Sequence, residues 1–366
     1  MHDTQFSADD PALIPLRGLG WKEQVAQSFD VHATAGDIPA RVTAVHRNRV
    51  VVAGAFGERD AMLASHFHDA DGIGRPATGD WVALRVSTDG TTTVRTLLPR
   101  QSAFIRRAAG EKSVAQVVAA NIDRVLIVTA VPDDVNERRL ERYLAVAWES
   151  GATPVVVLTK TDLVENVSEW IATASTAAPG VDVVAVSALT GAGTDALAPH
   201  LIAGTTIALL GSSGVGKSTL LNHLAGRLLM RTGDVRDDGR GRHTTTHREL
   251  VRLPNDVLVI DTPGMRELQL WSAESGLAQT FEDVTALSHD CRFGNCAHDG
   301  EPGCAVADAI RSGGLDADRL ASWRKLSREA ARAALEQDAV AAAAQRAKVK
   351  SIHRLARTHH KRKYRE

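Results

Sequence analysis

The chain has 366 residues, 44% of them hydrophobic and 24% charged, which is enough apolar material for two or three cored domains and excludes a disordered chain. Its 43 Lys and Arg against 44 Asp and Glu leave a net charge of −1, so no overall field draws it to nucleic acid or to anionic lipid. The charge is instead segregated: residues 341–366 carry nine Lys or Arg and one acid, a net of +8, against −9 over the first 340. No apolar run approaches the ~18 residues of a membrane span. Met1 to Asp10 lacks the basic and apolar regions of a secretory signal, so the sequence reads as cytoplasmic.

From about Ile38 to Arg107, short alternating runs (Ala40 to Val45, Val50 to Val52, Asp80 to Val86) are separated by turn signals such as Asp89-Gly90. Helical periodicity is absent there, and the spacing predicts a small antiparallel barrel of the OB or SH3 kind. OB-folds often bind single-stranded nucleic acid, but a plain structural barrel fits this aromatic-poor segment equally well. From about Ile122 the texture changes. Apolar strands Arg124 to Val131, Pro154 to Thr159, Val181 to Ser187 and Thr206 to Leu210 alternate with helical stretches Glu137 to Glu149, Val167 to Ala177 and Ser218 to Leu224. That alternation predicts an α/β domain on a parallel sheet. A hairpin ending in Val257 to Ile260 follows; strand signals stop after about Trp271, and Asp316 to Ala347 reads as an Ala- and Arg-rich helix.

Between the strand ending at Leu210 and the next helix lies Gly211-Ser212-Ser213-Gly214-Val215-Gly216-Lys217-Ser218, the G-x-x-x-x-G-K-[ST] phosphate loop in the context it requires. Its glycines let backbone N–H groups turn inward around phosphate oxygens, and Lys217 reaches the β/γ-phosphates. The Ser218 hydroxyl is suited to Mg²⁺. Asp261-Thr262-Pro263-Gly264 ends an apolar strand, where Asp261 can reach the Mg²⁺ shell and the Gly264 N–H can sense a γ-phosphate. The next position, which holds a water-orienting glutamine in Ras-like GTPases, is Met265, so another group must position the water.

Thr159-Lys160-Thr161-Asp162 follows a strand, and its Asp can accept paired hydrogen bonds from guanine N1–H and the exocyclic amine, a donor pair adenine lacks. The Lys160 stem would cover the base, and Ser187-Ala188, after the next strand, can offer a backbone N–H to guanine O6. Alone, Thr-Lys-x-Asp reads equally as an exposed helix cap. Its spacing to Ser187-Ala188 and to the phosphate loop is what argues for guanine. These base-reading boxes precede the phosphate loop, the reverse of the ordinary GTPase order, which is a circular permutation of the same sheet.

The only cysteines, Cys291, Cys296 and Cys304, crowd into fourteen residues with His298 among them. Cys-x4-Cys-x-His-x5-Cys offers three thiolates and an imidazole, a closed tetrahedral set for one structural Zn²⁺ rather than free thiols or disulfides. His289 is a further candidate ligand. The tail His353 to Arg365 is dense in Arg, Lys and His, and suits either a solvated segment or one lying along a phosphate backbone.

Taken together, Thr78-Gly79-Asp80, Gln116, Asn121-Ile122-Asp123, Glu141-Arg142-Tyr143-Leu144, Thr159 to Asp162, Gly211 to Thr219, Gly241-Arg242-His243-Thr244-Thr245-Thr246, Asp261 to Gly264 and the Cys/His cluster resemble the ribosome small-subunit-dependent GTPase A (RsgA) family over essentially the whole chain. The resemblance implies three parts: an N-terminal segment and OB-like barrel over 1–112, a circularly permuted α/β P-loop GTPase domain over 113–275, and a zinc-binding α-helical domain with the basic tail over 276–366. It implies GTP hydrolysis to GDP and phosphate with Mg²⁺, stimulated by the small (30S) ribosomal subunit, in late maturation of that subunit. It also implies 16S rRNA contact, to which the tail contributes. In Gly241 to Thr246 it implies a switch loop, with His243 as the catalytic, water-positioning residue, one of Thr244, Thr245 and Thr246 on Mg²⁺, and Thr219 and Thr245 among the GTP contacts. A loop this rich in Gly, Asp, Arg and Thr is flexible, and a solvated loop histidine is the competing reading of His243. The alternative function is a nucleotide-gated RNA-binding module with incidental hydrolysis. Nothing in the sequence calls for a membrane or for more than a monomer.

Overall fold

Five short strands form the N-terminal unit: β1 (Ile38–Val45), β2 (Arg49–Gly54), β3 (Gly57–Leu63), β4 (Trp81–Val86) and β5 (Thr92–Leu97). Their order is β1-β2-β3-β5-β4, and antiparallel pairing of β4 with β1, from Ile38↔Leu84 to Arg41↔Trp81, closes the barrel. The β3–β5 contact is parallel, with a one-turn helix, His66–Asp69, between β3 and β4, which is OB-like topology. Ala40, Val42, Val50, Val52, Ala61, Val82, Leu84 and Val94 alternate inward and meet Phe67 in the barrel core. This is the computed structural model of the chain, in which residues 14–46, 49–107, 115–229, 249–261 and 274–335 are described.

Two helices precede the barrel, α1 (Ile14–Arg17) and α2 (Glu23–His32), and the His66–Asp69 turn is α3. Leu16, Trp21, Val25 and Phe29 pack on Trp81, Ala83 and Leu98, with Trp21 edge-on to Trp81 at 5.0 Å between ring centroids. A two-stranded hairpin, β6 (Ala103–Arg107) and β7 (Ala115–Ala120), leads into the second unit. There β8 (Arg124–Ala130), β9 (Thr153–Thr159), β10 (Val183–Ala185), β11 (Thr206–Leu210), β12 (Glu249–Arg252) and β13 (Leu258–Asp261) form a sheet in the order β10-β9-β8-β11-β13-β12, parallel except for β12. Both faces are covered, so β8 and β9 read as continuous apolar runs. Helices α4 (Glu137–Glu149) and α5 (Ser168–Ala177) lie on one face; α6 (Lys217–Ala225) places Leu220, Leu221 and Ala225 on the other. The barrel sheet continues into this one where Ala44 of β1 pairs with Glu249 of β12.

Arg41 is a buried side chain that binds the two units together. It is 1% exposed, and its guanidinium donates to three carbonyls from three segments, Gly79 at 3.1 Å, Leu19 at 2.6 Å and Asn121 at 2.9 Å, while lying 5.5 Å from the Trp81 ring centroid. Burial pulls its pKa down to about 10, and the carboxylates of Asp123 and Asp80 work against that, so it stays charged at neutral pH. Asp80 in turn holds Arg100 through two bonds of 2.8 Å. Arg41→Met is therefore expected to destabilise the chain by about 3 kcal/mol, because three carbonyls lose a charged donor at once. Urea unfolding of the variant beside the parent checks this, and a difference under about 1 kcal/mol would refute the cementing role.

The C-terminal unit is helical: α7 (Glu274–Thr280), α8 (Glu282–His289), a cysteine-bearing loop, α9 (Ala305–Ser312) and a helix described over 317–335. Among the described residues it has no core of its own. Phe281, Val284, Val306, Leu320 and Leu326 share one cluster with Leu140, Leu144 and Ala174 of α4 and α5. At that seam Arg319 donates to Glu141 at 3.0 Å, to Asp283 at 2.8 and 3.2 Å and to the carbonyls of Thr280 and Ala177, with its guanidinium 4.7 Å from the Phe281 ring centroid. Ser322 also donates to the fully buried Glu141 carboxylate. Arg319→Leu would leave the buried Glu141 carboxylate with only Arg138, at 3.0 Å, and the Ser322 hydroxyl, and is expected to cost about 3 kcal/mol. Thermal melting reads this out, and a variant melting within about 2 °C of the parent would deny Arg319 that place.

Candidate nucleotide and metal sites

The predicted loops that begin at Lys160, Ser187 and Gly211 emerge at the C-terminal edge of the parallel strands, where open α/β sheets place their ligand sites. The phosphate loop runs from the end of β11 to the start of α6. Its backbone explains its glycines. Gly211 has φ +147°, and a Cβ there would stand 2.2 Å from the Val128 carbonyl; Gly214 and Gly216 have φ +75° and +94°. Val215 is buried under the loop and Ser213 and Gly214 face outward. The Lys217 ammonium donates to the carbonyl of Gly211 at 2.9 Å and to that of Ser212. A lysine drawn back over its own loop places positive charge at the mouth where the N–H groups converge. Ser218 and Thr219 follow in the first turn of α6.

At the end of β9, Thr159 is buried and its hydroxyl donates across to the phosphate loop at Val215 O, with Thr129 O at 3.2 Å. Lys160 takes the left-handed conformation, φ +58°, and turns the chain into a one-turn 3-10 helix, Thr161–Leu163. The Asp162 carboxylate is exposed at the sheet edge and accepts the Ser187 hydroxyl. Ser187, after β10, also accepts the Thr190 N–H at 3.2 Å, which shapes the turn carrying Ala188. The structure thus unites Thr159, Lys160, Thr161, Asp162, Ser187 and Ala188 beside the loop Gly211 to Ser218. Asp261 closes β13 next to β11, with its backbone alone described. His243, Thr244, Thr245, Thr246, Gly264, Met265 and the basic tail lie outside the described residues.

The second site is formed by Cys291, Cys296, His298 and Cys304, whose ligand atoms all lie within 4.8 Å of one another. Tetrahedral Zn²⁺ with ordinary bond lengths requires about 3.8 Å between sulfurs and about 3.6 Å between sulfur and imidazole nitrogen. The structure has 4.0 Å between Cys291 and Cys304 Sγ, and 3.6 and 3.5 Å from these to His298 Nδ1. The donor set fits the ion and leaves no open position. His289 is outside the cluster. Cys304 caps α9, its sulfur accepting the Ala307 N–H at 3.4 Å. Burial opposes ionisation of Cys291, but the N–H groups of Val306 and Ala305, with the Cys296 and Cys304 thiols, hold its pKa below the usual thiol range. Loss of solvation, reinforced by the neighbouring thiols, pushes Cys296 up to about 11. Burial, opposed by Glu301 and aided by Arg324, lowers His298, which keeps its imidazole neutral as a ligand must be. His298 adopts φ +61°, Arg324 donates to its carbonyl, and Glu301 accepts the N–H groups of Ala297 and Asp299.

With this geometry in view the comparisons are specific. The model of the RsgA GTPase family matches residues 97–271. A protein of Opitutus terrae named small ribosomal subunit biogenesis GTPase RsgA is 46% identical over 353 residues, covering 93% of this chain and 96% of that protein. The chain belongs to the RsgA GTPase family. A protein of the same name from Streptomyces avermitilis is 44% identical over 340 residues, covering 91% of this chain and 90% of its own. Among solved structures, the crystal structure of YjeQ from Thermotoga maritima superposes with a TM-score of 0.61 at 24% identity, over 80% of this chain and 98% of that one. That of YloQ, described as a circularly permuted GTPase, gives 0.59 at 23%, over 81% and 96%. These two share the fold: barrel, permuted GTPase sheet and helical domain. A model of ABC transporters also matches residues 195–353, a span that includes the phosphate loop and omits Asp162 and Ser187. This RsgA-family chain is a circularly permuted GTPase, and no helix among the described residues is long and apolar enough to cross a membrane.

The sequence reading missed a contact on the phosphate loop. Arg139, in the first turn of α4, donates to the Ser212 hydroxyl at 2.6 Å and pairs with Asp134. No local signal marks it, since one arginine in an Arg-rich helix start resembles any other.

Proposed function

We propose that this chain hydrolyses GTP to GDP and phosphate as a maturation factor of the small ribosomal subunit, is stimulated by that subunit, and contacts its 16S rRNA. The observation that carries the nucleotide reading is the Asp162–Ser187 pair beside the phosphate loop on one sheet edge. Asp162 accepts the guanine N1–H and exocyclic amine, Lys160 covers the base and the Ala188 N–H faces O6. Gly211 to Lys217 and Thr219 surround the phosphates, Ser218 and Asp261 hold Mg²⁺, and Gly264 and Thr245 meet the γ-phosphate side. The ion, when bound with GTP, neutralises charge developing between the β- and γ-phosphates. His243 positions the attacking water in place of the glutamine that Met265 replaces. The subunit reading is supported by the printed names of the relatives and by the charge segregated in residues 341–366. The same reading divides the chain at 112 and 275, assigns one structural Zn²⁺ to Cys291, Cys296, His298 and Cys304, and makes the protein a cytoplasmic monomer.

The deciding experiment is GTP turnover at fixed salt with and without purified small ribosomal subunits, for the parent chain and His243→Ala. Stimulation that disappears in the variant is expected. Subunits that bind without raising turnover would favour the nucleotide-gated RNA-binding module instead, with Met265 marking a weak hydrolytic site. Base specificity has its own test. Asn at 162 keeps one acceptor and gains a donor, which matches the 2-carbonyl of xanthine and not the 2-amine of guanine. Asp162→Asn is expected to weaken GTP at least about 100-fold and to bind xanthosine triphosphate more tightly than GTP. Competition between the two nucleotides measures it, and an unchanged preference for GTP would remove Asp162 from the base site.

A further inference from the structure

The phosphate loop is gripped at two points by one hydrogen-bonded circuit that the roles assigned above do not use. On one flank the Arg139 guanidinium donates to Ser212 Oγ at 2.6 Å and is paired with the Asp134 carboxylate. Thr129, the buried penultimate residue of β8, donates to the Asp134 carbonyl at 2.9 Å and reaches its carboxylate at 3.2 Å. The Thr159 hydroxyl shares its one proton between the Thr129 carbonyl, at 3.2 Å, and Val215 O on the opposite flank of the loop, the shorter contact. The circuit Ser212, Arg139, Asp134, Thr129, Thr159, Val215 therefore begins and ends on the loop and passes through the first residue of the base-reading box. Arg139 is its one cation. Asn136 fixes its place by capping α4 through the Arg139 N–H at 3.0 Å, and the other end of the helix start is anchored by Glu141 on Arg319.

We propose that Arg139 is a positioning residue for GTP hydrolysis: acting in cis through the Ser212 hydroxyl, it holds the phosphate loop in the conformation that meets the transition state. The physical argument is preorganisation. Loop N–H groups help only where charge develops, and they do so without cost only if the loop is already in place. Lys217 cannot set the loop by itself, because its ammonium bonds the carbonyls of Gly211 and Ser212 and must turn toward phosphate when nucleotide arrives. Ser212 is the residue where both cations meet, Lys217 on its carbonyl and Arg139 on its hydroxyl. With Arg139 fixed to Asp134, the hydroxyl side of that residue stays put while the carbonyl side is released.

This inference rests on the GTPase reading of the site, and its test separates the two. Arg139→Ala, Ser212→Ala and the double variant are compared with the parent in steady-state GTP turnover, in affinity for GDP and for GDP with aluminium fluoride, and in thermal melting. Each single variant is expected to lower kcat about tenfold, with KM and GDP affinity within about twofold and fluoride-complex affinity falling with kcat. The double variant is expected to be no worse than either single one, since both break the same contact. Effects that multiply in the double variant would overturn the proposal. So would a lower melting temperature with kcat per folded molecule unchanged, or a loss of GDP affinity in step with kcat. A parent chain that turns over no GTP would remove the GTPase reading itself and this inference with it, whereas normal turnover in the parent and in Arg139→Ala alike would remove this inference only.

Discussion

Lys217→Ala is expected to lower kcat/KM for GTP about 1,000-fold while leaving the melting temperature of the nucleotide-free chain within about 2 °C of the parent. The asymmetry follows from where the ammonium sits. It bonds two carbonyls of its own loop, Gly211 and Ser212, so in the free protein it contributes local order rather than domain stability. With GTP bound it is the one protein cation the motif carries to the β/γ-phosphates, where charge grows in the transition state. The Gly211 dihedral that shapes the start of the loop does not depend on it, because the clearance between Gly211 and the Val128 carbonyl sets it. Steady-state turnover with parallel melting curves gives the answer. A loss of less than about tenfold would mean that the phosphate site lies elsewhere.

Removing the metal from the Cys₃His cluster is expected to have the other large effect. Structural zinc sites contribute ~10 kcal/mol or more of apparent folding free energy, and the loop around Cys291 to Cys304 has little else: its centre is turns and its apolar residues are borrowed by the shared core. Chelation, or Cys304→Ala, is expected to unfold the loop together with α9, because Cys304 is at once a ligand, a buried core residue and the N-cap of that helix. The damage should spread to the nucleotide domain, since Arg319 then no longer holds Glu141 from a fixed helix. Zinc analysis of the purified chain should return one ion per molecule, lost in the variant, with a drop in helical circular dichroism. A chelated, zinc-free chain that melts like the zinc-loaded parent would end the structural-metal assignment.

How much of this was legible beforehand varies by element and for physical reasons. β8, β9 and β11 were readable because both sheet faces are covered and the strands are unbroken apolar runs; α4 was bounded to the residue because Asn136 caps an amphipathic stretch. β3 was not readable. Its residues Gly57 to Leu63 are mostly exposed and polar, so period-two alternation has nothing to mark. Helix α2 was also missed, because its short apolar side, Val25, Ala26 and Phe29, is completed by Trp21 ahead of it and by Trp81 of β4.

The candidate site was proposed from the sequence alone: phosphate loops, base boxes and metal clusters are patterns of residue types at fixed spacing on a contiguous stretch, so they can be read without coordinates. What only the tertiary structure decided is which distant side chains support them. Arg41 reaching three carbonyls and Arg139 holding Ser212 are single charged residues with no local pattern, and the run Glu141 to Leu144 does not show that Glu141 lies buried under Arg319. A buried or bridging charge is defined by its partners, and those partners, up to 178 residues away along the chain for Glu141 and Arg319, are brought into reach only when the chain has folded.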